Sequence, residues 1–307
     1  MFERMISCDW SKNPQKRILT RVDKTKEGCL ISATEHVGDT ATLLSRARKG
    51  LQADQNLLLG FDFPIGLPAA YANLLNEKSF RELLPKLGLP DTDWFVFFNV
   101  CQNSQDISLH RPFYPNNPGG RKKFHLLQGL NLQTPDQLLR DCESTRPVAS
   151  PLFWVLGAKQ VGKAAITGWR EILQPMLGSK GVGIYPFDGE LVDLSQKNQV
   201  VIAELYPALS YGLIGLPVSG WKKRNQEDRR AFSRLILDWC CERKIEFKDE
   251  AKNQVLEGFG SHSDGEDRFD SLMGSLMMIE VESRRIPASP KLTGMQSIFE
   301  GWMLGKN

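Results

Sequence analysis

Leu57-Leu58-Leu59-Gly60-Phe61-Asp62 runs five apolar residues into a carboxylate, and Pro64, Gly66 and Pro68 follow at once. An apolar run that does not alternate reads as a strand buried on both faces, in the middle of a sheet. The prolines and glycine end that strand abruptly and place Asp62 at its edge. A carboxylate there carries a desolvation cost that Val or Ile would not. The arrangement occurs twice more, where Met5-Ile6-Ser7-Cys8 closes on Asp9 and Val200-Val201-Ile202-Ala203 closes on Glu204. With Asp267 and Asp270 opening a helix-like stretch, these acids form the pattern of a cluster that holds divalent cations.

Working outward from the 57–61 strand, residues 4–10, 17–22 and 29–34 read as three earlier strands. Their short connections imply an antiparallel meander, because a parallel crossover needs a dozen residues or more. A helix follows, capped by Asp39 or Thr40, with Leu43, Leu44, Ala47 and Leu51 on one face. Residues 65–197 hold helix fragments and turn signals, and residues 200–205 are a fifth strand stopped by Tyr206-Pro207. Residues 225–243 are expected as one amphipathic helix, with Phe232, Leu235, Ile236, Trp239 and Cys240 inward and Arg229, Arg230, Arg234 and Arg243 outward. A final helix begins near Ser263 in a Ser263-x-x-Glu266 capping box, with Phe269, Leu272, Met273, Leu276 and Met277 as its buried stripe.

That order is the β-β-β-α-β-α-β-α plan of the ribonuclease H-like fold. The expected architecture is α/β: a mixed five-stranded sheet, three strands antiparallel and two parallel, flanked by helices. Residues 1–307 read as a single domain, with 65–197 a large, mainly helical insertion between the fourth and fifth core strands. In this plan the first and fourth strands are adjacent and parallel, so Asp9 and Asp62 lie side by side. Asp267, Asp270 and Gly274 are spaced i, i+3, i+7 and share one helix face. A glycine inside a helix costs about 1 kcal/mol against Ala, which a close approach of that face to the sheet would justify. Acids also favour first helical turns for the dipole alone, which is the structural reading of Asp267.

The bulk numbers exclude little. The chain is 41% hydrophobic and 24% charged, with a net charge of +3, which permits a polyanionic partner without arguing for one. Its six cysteines show no Cys-x-x-Cys pair and no metal-like spacing with the four histidines, so a reduced, cytoplasmic setting is expected. The N-terminus does not read as a signal peptide, and no stretch approaches 18 apolar residues, so no membrane association is expected.

Cys8-Asp9-Trp10-Ser11, Gly60-Phe61-Asp62-Phe63-Pro64-Ile65-Gly66-Leu67-Pro68, Gln160-Val161-Gly162, Tyr185-Pro186-Phe187-Asp188, Ala203-Glu204-Leu205-Tyr206-Pro207-Ala208 and Asp267-Arg268-Phe269-Asp270-Ser271-Leu272 occur in that order. Through nearly the whole chain this resembles domain-of-unknown-function family 429, whose members are predicted ribonuclease H-like nucleases. The Asp-x-x-Asp pair is also similar to that of the Holliday-junction resolvase branch. The one departure noticed is Ser271, where Ala is expected. The resemblance implies a metal-dependent nuclease, hydrolysing phosphodiester bonds by a two-metal mechanism. Hard Mg²⁺ or Mn²⁺ ions take oxygen ligands, which fits Asp and Glu and not His or Cys. Asp9, Asp62, Asp267 and Asp270 are the expected metal ligands, with Glu204 as a further catalytic carboxylate whose alternative is a capped strand end.

Nucleic acid is the expected partner. Basic and aromatic residues interleave around Arg111 and around Arg121, Lys122 and Lys123, and Lys222 and Lys223 follow Trp221. Runs of like charge are otherwise solvated faces. Gly157-Ala158-Lys159-Gln160-Val161-Gly162-Lys163 matches a phosphate loop except that Ala164 replaces its hydroxyl residue, so a helix start after a turn is the simpler reading. Two other functions stay open. One is a non-catalytic nucleic-acid or partner-binding protein that kept the fold. The other is a nucleotide-binding phosphotransferase, which the bulky residues after Asp9 and Asp62 disfavour.

Overall fold

The computed structural model describes residues 2–144, 150–156 and 161–307. Eight strands form one mixed sheet: β1 (Arg4–Asp9), β2 (Ile18–Lys24), β3 (Cys29–Ile31), β4 (Glu35–His36), β5 (Leu57–Phe61), β6 (Val182–Ile184), β7 (Val200–Glu204) and β8 (Ile245–Phe247). Their order is β6-β7-β5-β1-β2-β3-β8, with β4 beside β2. The first strands pair antiparallel, as their short connections require. β5 lies parallel to β1, and β7 parallel to β5.

The expected five strands are therefore present, but the sheet has eight. The three additions, β4, β6 and β8, are two or three residues long, too short to show a period in sequence. One of them, β6, falls inside the 65–197 segment, which among the described residues is otherwise helices, turns, loops and isolated bridges. The 225–243 stretch is two helices, Gln226–Ala231 and Ser233–Glu242, not one. Arg229, expected outward, is 2% exposed, because its guanidinium donates to the carbonyls of Lys223, Gly258 and Gly260. Leu235, expected inward, is exposed. The closing helix starts at Gly265 with Asp264 as N-cap and no side-chain cap bond, so the Ser263 capping box does not form. Residues 157–160 of the phosphate-loop-like stretch, and so Gln160 of the quoted motifs, lie outside the described residues.

Strand alternation divides the core into two layers. Ile6, Cys8, Leu57, Leu59, Phe61, Val200 and Ile202 face the insertion on one side. Met5, Leu58, Val201 and Ala203 face the closing helix, Gly265–Glu282, on the other. That helix is buried from Phe269 to Glu282 and packs on β1 and β2. Gly274 allows the approach, since a Cβ there would lie 2.3 Å from Ser7 Oγ. Ser271 then bridges helix and sheet. Its hydroxyl donates to the Ser7 carbonyl at 3.0 Å and accepts from Thr20 Oγ1 at 2.8 Å. Among the described residues, no helix is long and apolar enough to cross a membrane.

Candidate functional site

The register of the central strands decides which carboxylates meet. Cys8 pairs with Phe61 across the parallel β1–β5 ladder, and the Asp62 N–H donates to the Cys8 carbonyl at 2.9 Å. Asp9 continues the Met5-Ser7 side of β1, and Asp62 continues the Leu58-Gly60 side of β5. Both side chains therefore emerge at one edge of the sheet, on the face covered by the closing helix. The first turns of that helix bring Asp267 and Asp270 to the same place.

These four carboxylates share one electrostatic environment. Burial pushes the Asp9 carboxyl well above the usual range, and the charges of Asp270, Asp62 and Asp267 raise it further. Asp62 is raised to about 7 by burial and then by Asp270. Asp267 is raised to about 6, mainly by burial, with Lys16 at the β1–β2 connection offsetting part of the rise. Asp270 is also raised by burial, although Lys223 and Tyr211 both stabilise its charge. The Lys223 ammonium stands 2.5 Å from Asp270 Oδ2 and 3.0 Å from Glu266 Oε1. The Tyr211 hydroxyl donates to Asp270 Oδ1. Asp267 Oδ2 is buried without a hydrogen-bond partner among the described residues.

Glu204 is placed elsewhere. It pairs with Phe61 and continues the Val200-Ile202 side of β7, so it points to the opposite face from Asp62. There Arg140 takes both of its oxygens, at 2.7 Å and 2.5 Å, and the Ile65 N–H donates to it at 2.6 Å. Arg140 also binds Glu143, at 3.0 Å and 2.9 Å, and is fully buried. This network, not the acidic centre, occupies Glu204.

The expected substrate-binding residues divide. Arg111 donates to the carbonyls of Asn99 and Val100, so its guanidinium braces a loop. Lys122, Lys123 and Lys222 are exposed, and Arg121 is half-buried. Lys223 points into the acidic centre. Other basic residues stand nearer the Asp9 strand end. Arg17 stacks on Trp10 at 4.1 Å and donates to the Ser11 carbonyl at 2.6 Å, fixing the chain just past Asp9. Trp10 Nε1 donates to Thr167 Oγ1 at 3.0 Å, tying this turn to the helix Val161–Gly168. Lys163, one turn before Thr167, has its pKa lowered by burial and by the neighbouring charge of Lys12. Lys163 closes the phosphate-loop-like stretch, whereas no motif marked Lys12 or Lys16 in the sequence.

Among the described residues, no three His, Cys, Asp or Glu side chains stand as they are in an arrangement that could hold a metal ion. Two of the eight carboxylate oxygens, both on Asp270, are taken by Lys223 and Tyr211. What the site offers is hard oxygen donors from three elements, more negative charge than one ammonium balances, and an unpartnered buried oxygen on Asp267.

The clustering has a consequence for stability. Asp62 and Asp267 bind protons in the folded chain near pH 7 and pH 6, where unfolded carboxylates, with pKa about 4, are ionised. The folded state thus holds more protons between about pH 4 and pH 7, and stability increases as pH falls through that window. Metal-free protein is expected to melt several degrees higher near pH 6 than near pH 8, with Asp62→Asn reducing the difference. Melting curves that rose with pH, or that Asp62→Asn left unchanged, would show that the carboxylates do not repel in this way.

No family model, no curated protein and no solved structure matches this chain.

Proposed function

We propose that the chain is a divalent-metal-dependent phosphodiesterase acting on nucleic acid, on a ribonuclease H-like core of the kind the sequence resemblance implies. The observation that carries the reading is the convergence of Asp9, Asp62, Asp267 and Asp270 at one sheet edge, all with proton affinities raised by burial and, for Asp9, Asp62 and Asp267, by the charge of Asp270. A fold spends stability on such a cluster where function needs it. The strand order supports the core assignment, with the antiparallel β1-β2-β3 meander beside parallel β5 and β7. A cytoplasmic setting is part of the same proposal.

The donor set fits Mg²⁺ or Mn²⁺: oxygen only, anionic, with Asp267 Oδ2 lacking a hydrogen-bond partner among the described residues. Asp9, Asp62, Asp267 and Asp270 would hold the ions, which when bound supply an activated water and neutralise charge on the leaving oxygen. The chain's own residues do the rest. Tyr211 orients Asp270 through its hydroxyl, and Ser271 locks the helix that carries both aspartates. Lys16 provides positive charge beside the centre, acting on Asp267, where a phosphate backbone would run.

The test is a cleavage screen on single- and double-stranded DNA, a four-way junction and RNA, with Mg²⁺, Mn²⁺ or chelator. Metal-dependent cleavage of any of these supports the reading. A second reading, a non-catalytic binding protein, is favoured by Lys223 already neutralising Asp270. It predicts nucleic-acid binding without cleavage and without a metal requirement.

A further inference from the structure

We propose that Lys223 is the resident counter-cation of the acidic centre, and that a divalent cation displaces it; this rests on the metal-dependent reading above. The ammonium is the one cationic group in direct contact with the four central carboxylates among the described residues, through Asp270 Oδ2 at 2.5 Å. It comes from outside. The Lys223 side chain is 40% exposed while that of Asp270 is 7% exposed, so the lysine reaches inward across the open side of the centre.

The loop holding it is built so that the side chain can leave without the backbone. Val218 is fully exposed and Gly220 has φ +92°, so residues 217–220 turn in solvent, while Trp221 packs on Tyr211, Phe232 and Phe269. The root of the loop is fixed instead. The buried Arg229 donates to the Lys223 carbonyl at 2.5 Å, and the Lys222 N–H donates to Asp228 Oδ2 at 2.7 Å. From that fixed point four methylenes can swing.

The two acids that hold the ammonium differ in kind. Asp270 faces the strand ends with Asp9 and Asp62. Glu266 lies one turn earlier, more exposed, and also pairs with Arg224 at 3.2 Å. When a divalent cation enters, the Lys223–Asp270 contact breaks and a cation–carboxylate contact forms. The lysine keeps its proton and its charge, and Glu266 keeps it at the rim. A compact, well-hydrated ammonium suits this exchange better than a guanidinium, whose bidentate hold on a carboxylate is harder to break. Lys223 thereby sets metal affinity below what the carboxylates alone would give, and balances the charge of Asp270 in the metal-free centre.

Calorimetric titration with Mn²⁺ alone tests this on wild type, Lys223→Gln and Lys223→Arg, with circular dichroism confirming the fold. Removing a competing cation is expected to tighten Mn²⁺ binding about tenfold or more in Lys223→Gln. Lys223→Arg, which keeps the charge, is expected to bind no tighter than wild type. A second readout needs no variant: Lys223 in wild type should acetylate faster with Mn²⁺ than without, relative to exposed Lys222. Equal or weaker binding by folded Lys223→Gln, or unchanged Lys223 reactivity in Mn²⁺-bound wild type, overturns the proposal. Should neither wild type nor Lys223→Gln bind Mn²⁺, the metal-dependent reading falls with it; should both bind alike, the lysine proposal alone falls.

Discussion

Asp9→Asn is expected to abolish metal-dependent cleavage, lowering its rate by about three orders of magnitude, or roughly 4 kcal/mol of transition-state stabilisation. Asp9 is 8% exposed, and the charges of Asp270, Asp62 and Asp267 all act on it, so it is the carboxylate most surrounded by the others. An amide keeps the shape and removes the charge that holds a cation. The same change relieves repulsion, so the metal-free variant should melt as high as wild type or a few degrees higher. Loss of activity with no loss of stability separates a functional carboxylate from a structural one. Cleavage that survived in Asp9→Asn would remove the acidic centre from the chemistry.

Arg140→Met is expected to have the largest effect on stability, for the opposite reason. Arg140 and Glu204 are 0% and 2% exposed, and Arg140 also neutralises Glu143, which is 0% exposed. Methionine leaves two buried carboxylates without a counter-charge, which typically costs about 3–5 kcal/mol. A melting-temperature drop of about 10 °C follows for a chain of this size. Replacing all three together, as Arg140→Met with Glu143→Gln and Glu204→Gln, should recover much of the loss, because the unpaired charges are what destabilise. Metal response should survive Glu204→Gln alone. A melting temperature unchanged by Arg140→Met would show that the network contributes nothing to the fold.

The contrast between Asp9 and Glu204 shows where the sequence stopped being legible. Both close an apolar run, and in sequence both read as site residues. In a strand apolar on both faces, nothing marks which side a residue takes. Only the pairing of Phe61 with Glu204 and of Cys8 with Phe61 shows that Glu204 lies on the far face. Asp267 and Asp270 were legible because helical spacing fixed their shared face, and Gly274 gave away the close approach to the sheet. Arg140 follows two leucines in the long insertion, and its partner Glu204 is 64 positions away, so no local pattern joins them. Lys223 sits among Trp221, Lys222 and Arg224 and reads as a substrate-binding lysine or one of a solvated run, not as a partner of the acids. Its inward turn depends on the buried Arg229, which itself lay on what the helical period marked as an outer face. The short strands β4, β6 and β8 carry too few residues to show alternation. The central strands and the aspartates were readable from order and spacing; the ion pairs that neutralise buried charge were not, because they depend on long-range register.

Electron paramagnetic resonance of Mn²⁺ titrated into wild type and Asp9→Asn tests the central claim most directly. A centre that holds two ions on shared carboxylates predicts a spin-coupled Mn²⁺ pair in wild type that is absent in Asp9→Asn. No bound Mn²⁺ at millimolar concentration, or a signal from isolated ions that Asp9→Asn leaves unchanged, would contradict it.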